Sequence, residues 1–541
     1  MRALLYSVAS ALLRGLAQPG WWGWPLLLLA VPLRILSWKE SVRRPRLLDL
    51  LHGLIFWMVA FSFLGHLHPL AVVSAALMMS LMGPVEGWLA QRLRRWLRPA
   101  AAAGLALAAS GWLQMEWFLI GAGGVPWASW AWPLAESPLL PLASSLGEAG
   151  LIALVTATGA ALAALWMRDR RDPSWIAALS LGAFGILAAT PAPTPSGKLP
   201  CLAVQGCIRV EDKARAHLDP IEFLRRQVDV THTGFDQGGG ARLVLWAETM
   251  WPFPVVDPGA QPGLIRQWFP GYGFESLPTA KVATQQQQLV ASLMSAAPAG
   301  SYFATGSHLY QALPDGAAVD ALSPRSSETV VYGQDGQLLA HLPKSELVPF
   351  GERLPLGGRF PFARQLANVI QAGSGLRPDF ARPSGSGPIH APGLPALGFA
   401  TCWENVFPGV FRSQALAGAE AFIVLSNEDW YGDGSREMEQ MLAATRLRAV
   451  ETRRAVLRVT NTGRTGLFEP DGHFVPGPEV GQEAAWPVDL PLVPAGTTTS
   501  YLRFGHWILP LLAALAAVLA LAPGRPPALA TVKSPNPGAG H

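Results

Sequence analysis

Cysteine and charged residues are both scarce in this chain. Three cysteines in 541 residues are too few for a disulfide framework, so stability has to come from packing. Aspartate, glutamate, lysine and arginine make up 14% of the residues, whereas hydrophobic residues make up 50% and tryptophan occurs 21 times. The mean hydropathy is positive, at +0.26. This composition argues against a soluble enzyme and indicates an integral membrane protein.

Long apolar stretches recur through the first third of the chain and once near its end. Several reach, and the others approach, the length that a helix needs to cross a bilayer. They cover residues 3–17, 21–36, 50–67, 70–89, 100–120, 146–167, 175–189 and 507–521. We therefore predict about eight transmembrane helices. Arg14 interrupts the first stretch and no clear cleavage site follows it, which favours a retained helix over a signal peptide.

Basic residues cluster between these stretches. Clusters at residues 39–46, 92–98 and 168–171 follow the second, fourth and sixth stretches. Because lysine and arginine accumulate in cytoplasmic loops, this alternation places the amino terminus inside and the long segment after the seventh stretch outside. The formal net charge of +4 is then explained by membrane orientation, and we expect no binding to nucleic acid.

A proline-rich linker at residues 191–197 marks the main domain boundary. We predict seven transmembrane helices in residues 1–191, a periplasmic domain in residues 192–500, a last transmembrane helix in residues 501–523 and a disordered cytoplasmic tail in residues 524–541. Within the large domain, β-rich runs at residues 199–204, 242–246, 330–332, 396–400 and 421–426 alternate with helix-like runs at residues 220–228, 285–296 and 435–454. This alternation predicts a layered α/β fold.

Three polar residues follow short apolar runs of the large domain. They are Glu248 in Leu-Trp-Ala-Glu-Thr, Lys344 in Leu-Pro-Lys-Ser-Glu and Cys402 in Phe-Ala-Thr-Cys-Trp. Taken singly, each has an ordinary structural explanation, such as a solvated strand end or a small buried residue. Together they supply a thiol, a carboxylate and an ammonium, which acyl transfer through a thioester requires.

The short sequence motifs around these residues resemble those of a known family. They include Trp-Ala-Glu-Thr at residues 246–249, Leu-Val-Pro-Phe-Gly-Glu at 347–352, Cys-Trp-Glu at 402–404, Leu-Ser-Asn-Glu-Asp-Trp-Tyr-Gly at 425–432, Glu-Trp at 116–117 and Val-Pro-Trp at 125–127. The chain resembles the apolipoprotein N-acyltransferases, which are membrane-anchored members of the nitrilase or carbon-nitrogen hydrolase superfamily. The resemblance covers nearly the whole chain. It implies a nitrilase-like αββα sandwich on an eight-helix membrane base.

The resemblance also implies roles for the three polar residues. Glu248 would be the general base, Cys402 the nucleophile and Lys344 the cation that stabilises the oxyanion. As a nearby positive charge, Lys344 would also lower the pKa of the thiol. The backbone N–H of Trp403 would be a second donor to the oxyanion. The reaction would be ping-pong, with a thioester intermediate on Cys402.

Two further carboxylates, Glu352 and Glu404, resemble accessory residues of the family and would position Lys344 or the base. The implied acyl donor is a phospholipid, and the implied acceptor is the α-amino group of a diacylglyceryl-cysteine at the amino terminus of a lipoprotein. The implied location is the bacterial inner membrane, with the catalytic domain in the periplasm. We expect no cofactor and no metal, because no carboxylate or cysteine completes a ligand set with His52, His66 and His68.

Departures from the family pattern leave alternatives open. Ala247 stands where a proline is usual, Trp403 where a tyrosine is common, and the arginine customary shortly after Glu116 is missing. A divergent paralogue with another amine acceptor, for example one associated with conjugation, is one alternative. A membrane-bound amidase or nitrilase-like hydrolase, with water as acceptor, is another, and a non-catalytic membrane scaffold is a third.

The remaining cysteines and a cluster of arginines have structural interpretations. In an extended strand Cys201 and Cys207 would lie roughly 20 Å apart, beyond the reach of a disulfide. The arginines of the helix-like run at residues 435–454 are expected to be partly solvated, with some pairing to Glu451. These are Arg446, Arg448, Arg453 and Arg454.

Overall fold

The computed structural model describes residues 1–40, 44–116, 124–209, 212, 220–236, 240–257, 262–269, 273–318, 321–354, 359, 365, 380–381 and 387–522. Trp117 of the Glu-Trp motif and the predicted tail at residues 524–541 lie outside these ranges. The described residues form a helical part, built mainly from the first third of the chain, and an α/β part.

Helices occupy the first seven of the predicted apolar stretches. They are α1 (Arg2–Ala17), α2 (Leu27–Lys39), α3 (Pro45–Ala60), α4 (Pro69–Ser80), α5 (Met82–Leu93), α6 (Pro99–Glu116), α7 (Ala143–Trp166) and α8 (Ser174–Leu187). Proline stands at the first position of α3, α4 and α6, where its missing N–H has no helical partner to lose and its fixed φ suits the helix. The fourth predicted stretch is divided between α4 and α5 at Leu81.

The α/β part contains two larger sheets and one hairpin. Its strands are β1 (Gly197–Gln205), β2 (Leu243–Trp246), β3 (Leu264–Phe269), β4 (Gly273–Pro278), β5 (Tyr302–Tyr310), β6 (Arg325–Gly333), β7 (Leu338–Pro343), β8 (Leu397–Thr401), β9 (Ala421–Ser426), β10 (Val456–Thr460), β11 (Gly466–Phe468), β12 (Phe474–Pro476) and β13 (Ala484–Leu492). One sheet has the order β13-β1-β2-β5-β6-β7, the other has the order β12-β11-β10-β9-β8, and β3 pairs with β4. Strands β1, β2 and β5 run parallel in the first sheet, as do β8, β9 and β10 in the second.

Helices cover the outer face of each sheet. They are α9 (Pro220–Asp236), α10 (Thr279–Leu293), α11 (Pro408–Leu416) and α12 (Arg436–Thr452). Because side chains alternate along a strand, Ile423 and Leu425 of β9 face the core shared with the first sheet. Phe422 and Val424 face the core shared with α11 and α12. The described residues therefore confirm the predicted αββα sandwich.

Two more helices follow β13, α13 (Ser500–Arg503) and α14 (Ile508–Leu521). Helix α14 occupies the last predicted apolar stretch. Among the described residues, two helical segments have the length and hydropathy of a bilayer crossing, Pro69–Leu93 and Leu140–Trp166. Shorter apolar helices lie at Ser174–Leu187 and Gly505–Leu521. The count of about eight transmembrane helices therefore stays a prediction.

A buried ionic junction joins α7 to α12. Gly147 has φ +62°, and a Cβ there would lie 2.1 Å from the ring of Tyr501. The break in α7 at this glycine lets the Glu148 N–H donate to Glu451 Oε1 at 2.6 Å. Arg448 lies 2.5 Å from Glu148 Oε2 and 3.3 Å from Glu451 Oε2. A helix of the α/β part is thereby tied to a helix of the helical part.

The expectation that the arginines of the helix-like run at residues 435–454 are partly solvated is wrong for three of the four. Arg448, Arg453 and Arg454 are buried, whereas Arg446 is half-buried. Arg448 is buried because it pairs with Glu148 of α7. Arg453 and Arg454, which follow α12, are buried because they donate to backbone carbonyl groups, Arg453 to those of Thr190 and Pro470 and Arg454 to those of Ala495 and Thr497. The predicted pairing with Glu451 is confirmed for Arg448.

Candidate active site

The three predicted catalytic residues each follow a strand. Glu248 lies two residues after β2, Lys344 directly follows β7, and Cys402 directly follows β8. Strands β2 and β8 belong to different sheets, and both belong to parallel pairs whose carboxyl ends are the usual position for a site in such sheets. Lys344 Nζ reaches Glu248 Oε1 at 3.2 Å. The fold therefore brings the predicted base and cation together across 96 residues of sequence.

Lys344 is a buried cation held between two carboxylates. Its Nζ donates to Glu352 Oε1 at 2.8 Å as well as to Glu248, and its side chain is fully buried. Burial alone lowers the pKa of this ammonium, but the charges of Glu248 and Glu352 outweigh burial and hold the pKa well above its usual value. Lys344 therefore remains a cation throughout the physiological pH range.

Both oxygens of the Glu248 carboxylate have partners. Oε1 accepts from Lys344, and Oε2 accepts from the backbone N–H of Asn427 at 3.2 Å. Asn427 is held in turn, because Asn461 Nδ2 donates to its side-chain oxygen at 3.0 Å. The carboxylate that the sequence identifies as the base is thus fixed in orientation by residues from two other parts of the chain.

Cys402 opens a short helical turn, Cys402–Val406, in the left-handed region at φ +49°. A non-glycine residue in this region is uncommon and points to a constrained position. Burial raises the pKa of its thiol well above the ordinary value, and the carboxylate of Glu248 raises it further. Lys344 acts in the predicted direction, lowering the pKa, but it is outweighed. The predicted effect of Lys344 on the thiol is therefore present, but burial and the carboxylates outweigh it and the pKa as a whole is raised.

Glu404 ties the turn of Cys402 to the loop of Lys344. Its Oε1 accepts from the Ser345 backbone N–H at 2.6 Å and from Ser345 Oγ at 2.7 Å, while its Oε2 accepts from the Thr401 N–H at 2.8 Å. Because the residues bonded to Glu404 are the direct neighbours of Lys344 and Cys402, its carboxylate fixes the spacing of these two residues.

Glu352 supports Lys344 from its own loop. While Oε1 accepts from the ammonium, Oε2 accepts from the Val348 N–H at 2.8 Å. The segment Leu-Val-Pro-Phe-Gly-Glu at residues 347–352 thus folds back on itself and places the Glu352 carboxylate against Lys344. Glu352 and Glu404 both contact the loop that contains Lys344, as the sequence predicts. Glu352 accepts from the Lys344 ammonium, whereas Glu404 accepts from Ser345.

Aromatic rings connect the turn of Cys402 to the helical part. The ring of Trp403 stacks on that of Trp127, with centroids 5.6 Å apart and planes at 6°. Trp127 also packs against Phe63 at 5.4 Å and donates from Nε1 to Gln440 Oε1 at 2.7 Å. Phe63 makes an edge contact of 5.2 Å with Tyr431. We call Phe63, Trp127, Trp403 and Tyr431 the aromatic bracket.

Sequence reasoning missed Glu437, a buried carboxyl whose charge acts on Cys402. Neither of its side-chain oxygens has a hydrogen-bond partner among the described residues. Burial raises its pKa well above the ordinary value, Glu428 adds to this effect and Arg458 opposes it. Its charge acts on the Cys402 thiol. A glutamate in the first turn of a helix reads from sequence as an ordinary dipole partner, so the pattern gave no sign of this position.

A cavity lies beside the site, where the helical part meets the α/β part. It has a volume of about 220 Å³ and lies between the end of α6, the loop after Lys344 and the start of α11. Its lining includes Met115, Glu116, Ser345, Glu346 and Phe407. Within the described ranges, no group of three or more histidine, cysteine, aspartate or glutamate side chains is placed to hold a metal ion.

Two family models match the chain. The model described as the apolipoprotein N-acyltransferase N-terminal domain matches residues 10–161, and the carbon-nitrogen hydrolase model matches residues 268–493. The second match contains Lys344 and Cys402 but begins after Glu248.

Sequence similarity to known proteins covers almost the whole chain. The apolipoprotein N-acyltransferase of Gloeobacter violaceus is 28% identical over 97% of this chain and 94% of that protein. That of Azotobacter vinelandii is 29% identical over 94% of this chain and 93% of that protein. Among solved structures, a carbon-nitrogen hydrolase from Helicobacter pylori is 13% identical, with a TM-score of 0.37, over 58% of this chain and 93% of that chain. Over almost its whole length, the chain is therefore similar to apolipoprotein N-acyltransferases.

Proposed function

We propose that this protein transfers an acyl chain from a phospholipid to the α-amino group of a diacylglyceryl-cysteine at the amino terminus of lipoproteins. The relatives that match nearly its whole length carry the name of this activity. The observation that carries the mechanism is the buried Lys344 ammonium, held between Glu248 and Glu352 and acting electrostatically on Cys402. Catalysis then depends on Glu248, Lys344 and Cys402.

In the first half-reaction, the Cys402 sulfur attacks the ester carbonyl of the phospholipid. Because burial and the neighbouring carboxylate raise the thiol pKa, the thiol is protonated at rest, and its proton passes to Glu248 as the C–S bond forms. The C–O bond of the ester then breaks. The lysophospholipid oxygen takes the proton from Glu248, and the acyl group remains on Cys402 as a thioester.

Charge on the tetrahedral intermediate has a fixed partner in Lys344. The ammonium is buried and already oriented by two carboxylates, so it needs little reorganisation when the oxyanion forms. The backbone N–H of Trp403 is the second donor in this proposal, because Trp403 directly follows Cys402 in the short turn Cys402–Val406.

In the second half-reaction, the free α-amine attacks the thioester. An amide bond forms, the C–S bond breaks, and one amine proton passes through Glu248 to the departing sulfur. The thiol is thereby restored. The proton that an α-ammonium must lose before it can attack goes to solvent.

The membrane supplies both substrates in this proposal. Large apolar side chains are exposed on the helices, among them Leu179 and Leu187 on α8 and Leu511 and Leu521 on α14, and such a surface suits a bilayer. We propose about eight transmembrane helices in residues 1–191 and 501–523 of a bacterial inner membrane. Residues 192–500 then form the periplasmic catalytic domain, and the basic loops face the cytoplasm.

The test is product analysis with purified protein, a phospholipid of defined acyl chains and a synthetic diacylglyceryl lipopeptide. We expect an N-acylated lipopeptide and an equal amount of lysophospholipid. Free fatty acid without N-acylated lipopeptide would identify a hydrolase instead. Transfer to a different amine, with the lipopeptide unchanged, would identify a paralogue with another acceptor. Cys402→Ser that retains full cellular function would contradict an enzymatic role.

A further inference from the structure

The predicted base and nucleophile come from different sheets of the sandwich. Glu248 follows β2 in the six-stranded sheet, whereas Cys402 follows β8 in the five-stranded sheet. The placement of one relative to the other therefore depends on contacts that join the two sheets at the carboxyl ends of their parallel strands. In a reaction of the proposed kind, a displacement of about 1 Å between reacting groups can slow the reaction about a hundredfold.

Asn461 joins the two sheets at this end. It directly follows β10 of the five-stranded sheet and is fully buried. Its Oδ1 accepts from the Ile208 N–H at 2.9 Å, and its Nδ2 donates to the Ile208 carbonyl oxygen at 2.6 Å. Ile208 lies in the loop after β1, and β1 pairs with β2 in the six-stranded sheet. The side-chain amide of Asn461 therefore links the sheet that carries the base to the sheet that carries the nucleophile.

The same amide holds the loop that contacts the base. Asn461 Nδ2 donates to Asn427 Oδ1 at 3.0 Å, and the Asn427 N–H donates to Glu248 Oε2 at 3.2 Å. The backbone N–H of Asn461 donates to the Ser426 carbonyl oxygen at 3.1 Å. One residue thus connects the loop after β1, the loop after β9 and, through Asn427, the carboxylate of Glu248.

The loop after β1 has a constrained backbone of its own. Cys207 has φ +49°, in the left-handed region, and its N–H donates to the Asn461 carbonyl oxygen at 3.0 Å. Such a conformation persists only where the surrounding structure imposes it. Two residues further on, Arg209 donates to Asp429 at 2.8 Å and to Asp433 at 2.7 Å, both in the loop after β9. The two loops therefore hold each other in place beside the base.

We propose that Asn461 is a positioning residue that sets the orientation of the Glu248 carboxylate relative to the turn of Cys402. Its side chain bonds to Ile208 and Asn427, so it acts on the base through Asn427. The proton transfers that use this orientation rest on the proposed function. The orientation itself does not, because any acylation of Cys402 that uses Glu248 as the base would depend on it.

Acylation of Cys402 by p-nitrophenyl butyrate tests this role without any phospholipid, because the burst of p-nitrophenol measures acylation directly. Asn461→Asp keeps the shape of the side chain but places an oxygen where the amide now donates to Ile208 and Asn427. We expect the acylation rate constant to fall about tenfold, with little change in the ester concentration that gives half the maximal rate. Cys402→Ala supplies the background rate.

A second variant disturbs the link less. Asn427→Ala keeps the backbone N–H that contacts Glu248 but removes the oxygen that Asn461 holds. We expect acylation to slow about threefold, as for the loss of one hydrogen bond. Melting temperatures show that each variant is folded before its rate is compared.

The Glu248→Ala background separates a positioning role from a general structural one. If Asn461 acts through the base, Asn461→Asp should cause no further loss once the carboxylate is absent. Gln334→Glu is the matched control, because it changes a comparable amide in the turn between β6 and β7. Gln334 donates to the Ala297 carbonyl oxygen at 2.9 Å and accepts from the Gly300 N–H at 2.9 Å. This control should leave the acylation rate unchanged.

Unchanged acylation in Asn461→Asp would overturn the proposal. So would a loss that multiplies with that of Glu248→Ala, or an equal loss in Gln334→Glu, since a general effect on the fold would then explain the result. The proposed function is judged separately, with phospholipid. If the wild-type protein reacts with the ester in this Asn461-dependent way but never takes an acyl chain from phospholipid, the proposed function fails while the positioning role stands.

Discussion

Trp127 stacks on Trp403 in nearly parallel planes, 6° apart. One ring belongs to the segment between α6 and α7, and the other belongs to the turn that begins with Cys402. The helical part therefore contacts the turn Cys402–Val406 through the second residue of that turn. This contact couples the geometry of the site to the packing of the helices around it.

Trp127→Ala should destabilise the protein by about 3–5 kcal/mol, as expected for removal of a buried tryptophan. It should also slow acylation of Cys402, because the turn loses its support. Chemical unfolding in detergent and single-turnover acylation measure the two effects. The control is Trp88→Ala, since Trp88 is 43% exposed on α5. Equal losses in both variants would contradict a specific role for the stack.

Arg448→Met should cost about 3–5 kcal/mol, because it leaves the buried carboxylates of Glu148 and Glu451 without their cation. An exposed ion pair would contribute about 0–1 kcal/mol, so the two cases are well separated. Unfolding of Arg448→Met, Glu148→Gln and the double variant measures the coupling between the residues. Additive effects would contradict the junction between α7 and α12.

Glu404→Gln should slow acylation by about tenfold or more with KM little changed, because small displacements of reacting groups are costly. The amide nitrogen of glutamine would face an N–H donor where Glu404 now accepts three hydrogen bonds from Ser345 and Thr401. Glu420→Gln is the matched control. Glu420 Oε1 accepts a backbone N–H from Ala396 at 3.1 Å, outside the site. A parallel loss in that control would argue for a general effect of such bonds.

Glu437→Gln should stabilise the protein more at pH 8 than at pH 5. Burial raises the folded-state pKa of Glu437 above its ordinary value of 4.5, and Glu428 raises it further. A raised carboxyl pKa means that the folded state binds more protons than the unfolded state. Stability is then lost as pH rises from the ordinary pKa through the folded pKa. Glutamine removes this dependence, which melting temperatures across that range would detect. A constant difference between variant and wild type would contradict it.

Much of the fold could be predicted from local pattern. The apolar run at residues 421–426 is strand β9 with the same bounds, because a strand buried on both faces has no polar position to obscure it. The helix predicted at residues 435–454 is α12, Arg436–Thr452. By contrast, α9 extends to Asp236, beyond the predicted end at residue 228. Its later turns gain a tertiary contact, in which Trp246 Nε1 donates to Thr231 Oγ1 at 3.0 Å.

Residues of the candidate site could be predicted only where the adjacent residues in sequence form a recognisable motif. Flanking motifs point to Glu248, Lys344 and Cys402 as candidates, and the structure brings Lys344 to Glu248. The burial of Arg448 could not be predicted, because its partner Glu148 is 300 residues away in sequence. The direction of the thiol pKa depends on the sum of burial and four charges, and no single motif contains that sum.

In the proposed reaction, Cys402 carries the acyl group between two lipid substrates. Mass spectrometry of the protein after incubation with a phospholipid of defined chains should find that acyl mass on the Cys402 peptide. The adduct should be absent or strongly reduced in Glu248→Gln and Lys344→Ala, and it should disappear as N-acylated product forms when lipopeptide is added. An adduct on another residue, or product formed at the wild-type rate by Cys402→Ala, would contradict the account.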